Sequence, residues 1–199
     1  MSDFMIGYGS LLSSYSRRTY SGIETPVRPI VATGWRRGWT VRYGDEAATY
    51  AGVRHAAGHH LHAALVPTEI TPELRHRERG YVFTEVDPAS VYPDDADDTP
   101  LPPGRYWIVV NRSQVRADAD HPIPQTYVDT CLSGCLETGG EARARAFIQA
   151  TELWDSPWID DRDRANPLYP RRTPLSHDDR ARVDALLDGC GVLKYRRPA

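Results

Sequence analysis

Two short stretches of this 199-residue chain carry residue types that could do acid–base chemistry or hold an anion. The first is TPELRHRERGYVFTEV. Thr71 is a candidate helix N-cap and Pro72 suits a first helical turn. A short helix over 72–79 puts Leu74, Glu78 and Tyr81 at i, i+4 and i+7 on one face. Arg75 and Arg79 then share a neighbouring face and Arg77 points elsewhere, so Glu78 is the acid on the side that turns a leucine and a tyrosine inward. A carboxylate facing a core is costly unless paired, and desolvation raises its proton affinity, which is how a glutamate becomes a general base near neutral pH. The other reading is an ordinary ion pair between Glu78 and a neighbouring arginine at the surface, the commoner outcome for a charged run. The second stretch is MSDFMIGYGSLLSS, an apolar run halted by Gly7-Tyr8-Gly9-Ser10 and followed by Leu11 and Leu12. Glycine in a tight bend lets the backbone approach a ligand, and successive N–H groups can cradle an anion.

Other chemistry-bearing residues carry less. His59, His60, His62 and His76 are close in sequence, but adjacent residues of an extended strand face opposite ways, and no C-x-x-C or H-E-x-x-H spacing accompanies them. No metal site is therefore expected. Cys131 and Cys135 fall at i, i+4 on a helix with no recognisable histidine partner, which favours buried packing over nucleophilic catalysis. The segment WDSPWIDDRDRANPLYPR, from Trp154 to Arg171, reads as a loop pinned by aromatic packing and Asp–Arg pairs, with lining a substrate cleft as its alternative role.

The elements that must position these residues are strands first and helices later. Strands are predicted at Phe4–Tyr8, Val27–Thr33, Trp39–Tyr43, Tyr50–Arg54, Leu61–Val66, Tyr81–Val86 and Arg105–Asn111, from β-branched and aromatic content between Gly, Pro and Asp boundaries. A hairpin is expected around Gly58. The aspartate- and proline-rich YPDDADDTPLPPG, from Tyr92 to Gly104, reads as an exposed loop. Helices are expected over Tyr127–Leu136 and over Glu141–Trp154, the second with Ala146, Phe147, Ala150, Leu153 and Trp154 on one face. Ser176 and Asp179 form a capping box for a last helix that carries Val183, Leu186 and Leu187 and stops near Gly189. This order predicts an α+β fold or a partly closed barrel with helices packed on it, rather than a regular βαβ alternation.

Composition narrows the function classes. The chain is 40% hydrophobic and 26% charged, which is ordinary for a globular protein, and 199 residues suffice for one domain with a sizeable core or for a domain with appendages. A formal net charge of −3 argues against a general nucleic-acid binder. No stretch approaches the roughly 20 apolar residues of a membrane span, and the apolar start is too short for a signal peptide. Three cysteines, Cys131, Cys135 and Cys190, do not make a disulfide framework. The expectation is a cytoplasmic protein with no nucleic-acid or membrane partner.

Taken together, the two stretches resemble the γ-glutamylcyclotransferase superfamily, including its ChaC-like and AIG2-like branches. The family's N-terminal signature, Tyr-Gly-Ser followed by Asn or an aliphatic residue and a leucine, is matched by Tyr8-Gly9-Ser10-Leu11-Leu12, with leucine in place of asparagine. Its second signature, Arg-Glu followed closely by tyrosine, is matched by Arg77-Glu78-Arg79-Gly80-Tyr81. YAGVRHAAGHHLHAALV resembles the family's strand pair before the glutamate, with His62 where many members have glycine, and PIPQTYVDTCLSG resembles its Pro-x-x-Tyr helix start. The resemblance covers roughly residues 4–150 and leaves the Trp/Arg-rich tail outside the core pattern. It implies a mixed β-barrel with packed helices over 1–150 and a C-terminal helical or loop extension over 151–199 packed on the same domain. It implies Glu78 as general acid/base, Tyr8, Gly9, Ser10, Leu11 and Tyr127 as substrate-binding residues, a small-molecule γ-glutamyl substrate, 5-oxoproline as product and no cofactor. A non-catalytic small-molecule or protein-binding module of the same fold is the competing expectation.

Overall fold

Phe4, Met5 and Ile6 are apolar without alternation, as suits a strand covered on both faces. In the computed structural model, which describes residues 2–70, 78, 80–94 and 99–198, they are buried in the middle of the main sheet. Here β1 (Asp3–Gly7) pairs antiparallel with β3 (Tyr50–Pro67) and parallel with β6 (Arg105–Asn111). β6 continues antiparallel to β4 (Tyr81–Val86), and β3 continues antiparallel to β2 (Arg28–Val41). β5 (Val91–Pro93) and β8 (Thr151–Glu152) take separate stretches along β2. The result is a seven-stranded mixed sheet in the order β4-β6-β1-β3-β2-β5, with β8 also on β2. A second sheet of three parallel strands runs β10-β9-β7, from Arg196–Pro198, Trp158–Asp160 and Ile123–Pro124.

The α+β class with a mixed sheet and packed helices is what the sequence predicts, but the sheet does not close into a barrel. Its far edge is made by the three residues of β5 and the two of β8, and neither offers a full-length partner to β4. The hairpin expected around Gly58 is absent. β3 runs straight through as one 18-residue strand, because the 14-residue β2 accompanies it on both sides of the glycine. Gly58, at φ +77°, is absorbed at an irregularity where the register shifts between Thr33 and Trp35. The stretches Val27–Thr33 and Trp39–Tyr43 are likewise parts of a single β2 rather than two strands.

Among the described residues three helices complete the fold. α1 (Ser14–Ser21) starts at Ser13, whose side chain accepts from the Ser16 N–H. α2 (Gln125–Ala150) is two helices joined across a kink at Gly139–Gly140. α3 (His177–Gly189) begins with the expected capping box, the Ser176 and Asp179 side chains each meeting the other's backbone N–H, and buries Val183, Leu186 and Leu187. The second half of α2 ends at Ala150, four residues earlier than the sequence predicts. Thr151 and Glu152 pair with β2 instead, and Leu153 sits at φ +69°, so Leu153 and Trp154 leave the helix. The face that α2 buries there is Arg143, Ala144, Phe147 and Ile148.

The core lies between the main sheet and α2. Trp39 of β2 meets Trp154 edge-on at 4.8 Å, and Trp154 meets Trp158 at 5.1 Å, so the tail packs on the sheet through its tryptophans. Each fully buried aliphatic or Phe side chain, such as Ile6, Leu12 or Phe147, contributes about 1.5–3 kcal/mol. Two arginines are buried among them. Arg37 stacks on Phe147 at 3.7 Å and donates to the His62 carbonyl, and burial pulls its guanidinium down to about 10. Arg143 donates to Asp94 and to the Ala63 carbonyl. Among the described residues no helix is long and apolar enough to cross a membrane.

Candidate active site

β6 explains how two stretches far apart in sequence come together. β1 runs parallel to it and β4 antiparallel, so the C-terminal end of β1 and the N-terminal end of β4 lie at the same end of the sheet. The chain leaving β1 makes the Gly-Tyr-Gly-Ser bend there, and the chain entering β4 carries Glu78 two residues before Gly80 and three before Tyr81. The Tyr81 N–H donates to the Glu78 carbonyl at 2.8 Å, closing the turn into the strand. The helix expected over 72–79, with Arg75, His76, Arg77 and Arg79, lies outside the described residues apart from Glu78 itself.

The bend is held from several sides. The Tyr8 hydroxyl donates to the Val109 carbonyl of β6 at 2.7 Å. A 3-10 turn over Ser10–Leu12 closes with the Leu12 N–H on the Gly9 carbonyl at 2.9 Å and the Ser13 N–H on the Ser10 carbonyl at 3.2 Å. The N–H groups of Gly9, Ser10 and Leu11 therefore precede the first closed turn, where a helix leaves its donors without internal acceptors. The guanidinium of Arg17 donates to the carbonyls of Leu11 and Leu12, both at 2.7 Å. Gly134 of α2 packs against the Leu12 backbone so closely that a side chain there would overlap it. Gly9 is needed for the same reason, since a Cβ on it would run into the Tyr127 hydroxyl. Gly9→Ala is expected to cost about 1–3 kcal/mol by overpacking, measured by thermal unfolding, and Gly9→Ala with Tyr127→Phe should recover part of it.

Beside this bend lies a cavity of about 520 Å3 whose lining includes Tyr8, Gly9, Ser10, Leu11, Tyr127 and Glu78. All the residues expected to bind or act on substrate thus line one space. A smaller lobe of about 120 Å3 shares Ser10, Ser21, Glu78, Tyr81 and Tyr127 with it. Glu78 is half-buried. Burial pushes the Tyr8 phenol well up, with Tyr81 and Glu78 adding to the effect, and burial and then Glu78 push Tyr81 up. Both phenols are therefore protonated donors at neutral pH. Tyr127 is gripped by Tyr50 and Tyr169, each with ring centroids 4.9 Å away.

The sequence does not single out Tyr43, Tyr50, Tyr169 and Arg171 as site residues, yet all four line the smaller lobe. Tyr169 and Arg171 come from the Trp154–Arg171 segment, for which the sequence offers both pinning by Asp–Arg pairs and cleft lining; its shortest polar bonds reach outside the segment, to α2. Arg162 binds Asp129 of α2 through two hydrogen bonds of 2.7 Å. Asp161 accepts from the Thr126 N–H and hydroxyl at 2.9 and 2.7 Å. Cys131 and Cys135 are fully buried on α2, and burial pushes both thiols up, Cys135 to about 11, which agrees with a packing role. His59 and His60 are exposed, and His62 bonds Asp94 at 2.9 Å. Among the described residues no group of three metal-binding side chains occurs.

No sequence-family model matches the chain, and no curated protein matches it in sequence. Solved structures do match. A γ-glutamyl cyclotransferase superposes with a TM-score of 0.56 at 12% identity, over 93% of this chain and 99% of the other. An uncharacterized protein from Homo sapiens gives 0.52 at 15% identity, over 92% and 98%. YkqA from Bacillus subtilis gives 0.53 at 18% identity, over 79% of this chain and 56% of that one. At such identities the likeness is one of fold.

Proposed function

We propose, starting from a fold shared with the γ-glutamylcyclotransferases, that this chain is an enzyme that cyclises a γ-glutamyl compound to 5-oxoproline and releases an amine or amino acid. The observation that carries the proposal is that Glu78 lines the same cavity as the Gly9–Leu11 bend. One carboxylate beside a row of backbone donors is what an intramolecular acyl transfer requires.

The substrate carries an α-ammonium group and a γ-amide on one flexible chain. The Glu78 carboxylate takes a proton from the ammonium, and the freed amine attacks the γ-carbonyl carbon. A new C–N bond closes the five-membered lactam as the old C–N bond to the leaving amine breaks. Glu78 delivers its proton to the departing nitrogen, and the second proton, lost by the attacking nitrogen as the lactam forms, follows by the same route. Of the three ammonium protons, one stays on the lactam nitrogen and two end on the released amine, so the carboxylate is regenerated and no water is consumed. Backbone donors of Gly9, Ser10 and Leu11 hold the α-carboxylate or the carbonyl oxygen that gains charge. Folding the substrate back on itself draws on effective molarity, worth about 7–11 kcal/mol for well-oriented groups. The chemistry calls for no cofactor.

Incubation of the full chain with γ-glutamyl dipeptides, glutathione and γ-glutamylamines is expected to release 5-oxoproline from at least one of them, detected by chromatography. A folded protein inert toward the whole panel would end the enzymatic reading and leave a binding module of the same fold.

A further inference from the structure

The two lobes of the site differ in chemistry, and the difference orients a substrate. We infer that Arg171, brought in by the C-terminal segment, binds the α-carboxylate of the substrate in the smaller lobe, so that the γ-glutamyl head sits there and the leaving group occupies the larger cleft. This rests on the reading of the site as one for γ-glutamyl compounds.

The smaller lobe, of about 120 Å3, is less than a quarter the volume of the larger cleft, which suits it to the compact α-amino acid centre. Its walls are six tyrosines, three serines, Glu78 and Arg171, one formal charge of each sign. An α-amino acid centre is a zwitterion, and each of its charges must be paired when it leaves water. Glu78 meets the ammonium and Arg171 the carboxylate. A guanidinium is always charged and its fork matches a carboxylate with two parallel bonds. Among the described residues Arg171 has no carboxylate of this chain within ion-pair distance. Its guanidinium lies 5.5 Å from the centre of the Tyr169 ring, and that ring is itself packed on Tyr127 and Tyr50. The charge is half-buried in an aromatic wall, where it is hydrogen-bonded to the Tyr169 side chain and attracted by Glu46, and it lines the lobe.

The lobes meet at Ser10, Glu78, Tyr81 and Tyr127. A head group held by Arg171 places its γ-amide at that junction, beside the 3-10 turn. The backbone donors of Gly9, Ser10 and Leu11 then serve the γ-carbonyl oxygen, since the α-carboxylate is already held. The larger cleft, walled by Ile6, Val66 and Val109 among others, takes the departing amine.

The test compares a γ-glutamyl alkylamide with its counterpart whose α-carboxyl is a carboxamide, on the wild type, Arg171→Gln and Arg171→Lys. The wild type is expected to favour the carboxylate in kcat/KM by about 10-fold to 100-fold, the range of a charge-assisted pair. Arg171→Gln should bring that ratio to within about twofold of one, and Arg171→Lys should keep part of it. A merely structural arginine would lower both substrates alike and leave the ratio intact, and that result overturns the inference. If the wild type turns over neither compound, the same ratio is read as Kd by calorimetry, while the enzymatic reading stands or falls on the wider γ-glutamyl panel. A carboxylate preference lost in Arg171→Gln then still supports Arg171 as the anchor. No binding, or a preference that survives the substitution, overturns it.

Discussion

Glu78→Gln is expected to lower kcat for 5-oxoproline release by about 100-fold to 10,000-fold, the range for losing a general acid–base group. The carboxamide keeps nearly the same shape and can still bond the substrate ammonium, but it cannot take its proton. The substrate stays in its non-nucleophilic form, so the loss belongs in kcat with KM little changed. Glu78 sits in the turn before β4 rather than in the sheet core, so the thermal midpoint should move by no more than about 2–4 °C, the equivalent of one kcal/mol in a domain of this size. Undiminished release in the folded variant would remove Glu78 as the base. Cyclisation would then have to rest on positioning alone.

The second large effect is on the clamp that brings the tail to the site. Arg162→Met should destabilise the protein by about 3–5 kcal/mol, because it leaves the Asp129 carboxylate buried without its guanidinium partner. In a domain of this size that lowers the thermal midpoint by about 6–20 °C. Gln125 still donates to Asp129 at 2.7 Å, but a neutral donor does not replace a buried charge. Adding Asp129→Leu to Arg162→Met should return most of the loss, since the penalty comes from the unpaired charge and not from the missing contact. A double variant as unstable as the single one would mean that Arg162 acts instead through Asp184, which it also binds at 3.0 Å. The same segment carries Tyr169 and Arg171 onto the lining of the smaller lobe, eight and ten residues past Asp161 and its bonds to Thr126.

The parts of this protein that its sequence determined are those whose energy is local. The capping box of Ser176 and Asp179 is made within one helical turn, so the start of α3, its buried Val183, Leu186 and Leu187 and its end near Gly189 were all legible. β1, β4 and β6 were legible because β-branched and aromatic runs between breakers depend little on their partners. The chemical types at Glu78 and in the Tyr8–Leu11 bend were also visible, as was the burial of Cys131 and Cys135.

Tertiary structure decided whatever depends on a distant partner. Gly58 looks like a turn until the 14 residues of β2 run beside it and hold the strand straight. Thr151 and Leu153 continue a helical pattern, yet a backbone ladder with Arg37 and Gly38 of β2 ends the helix at Ala150. No spacing in the sequence could show that β6 would set the end of β1 next to the start of β4. Nor could it bring Tyr169 and Arg171, some ninety positions after Glu78, into the same lobe. Local propensity sets which segments are strands, helices and bends. Pairing register and buried charge pairs act across the chain, and they decide which of those bends share a cavity.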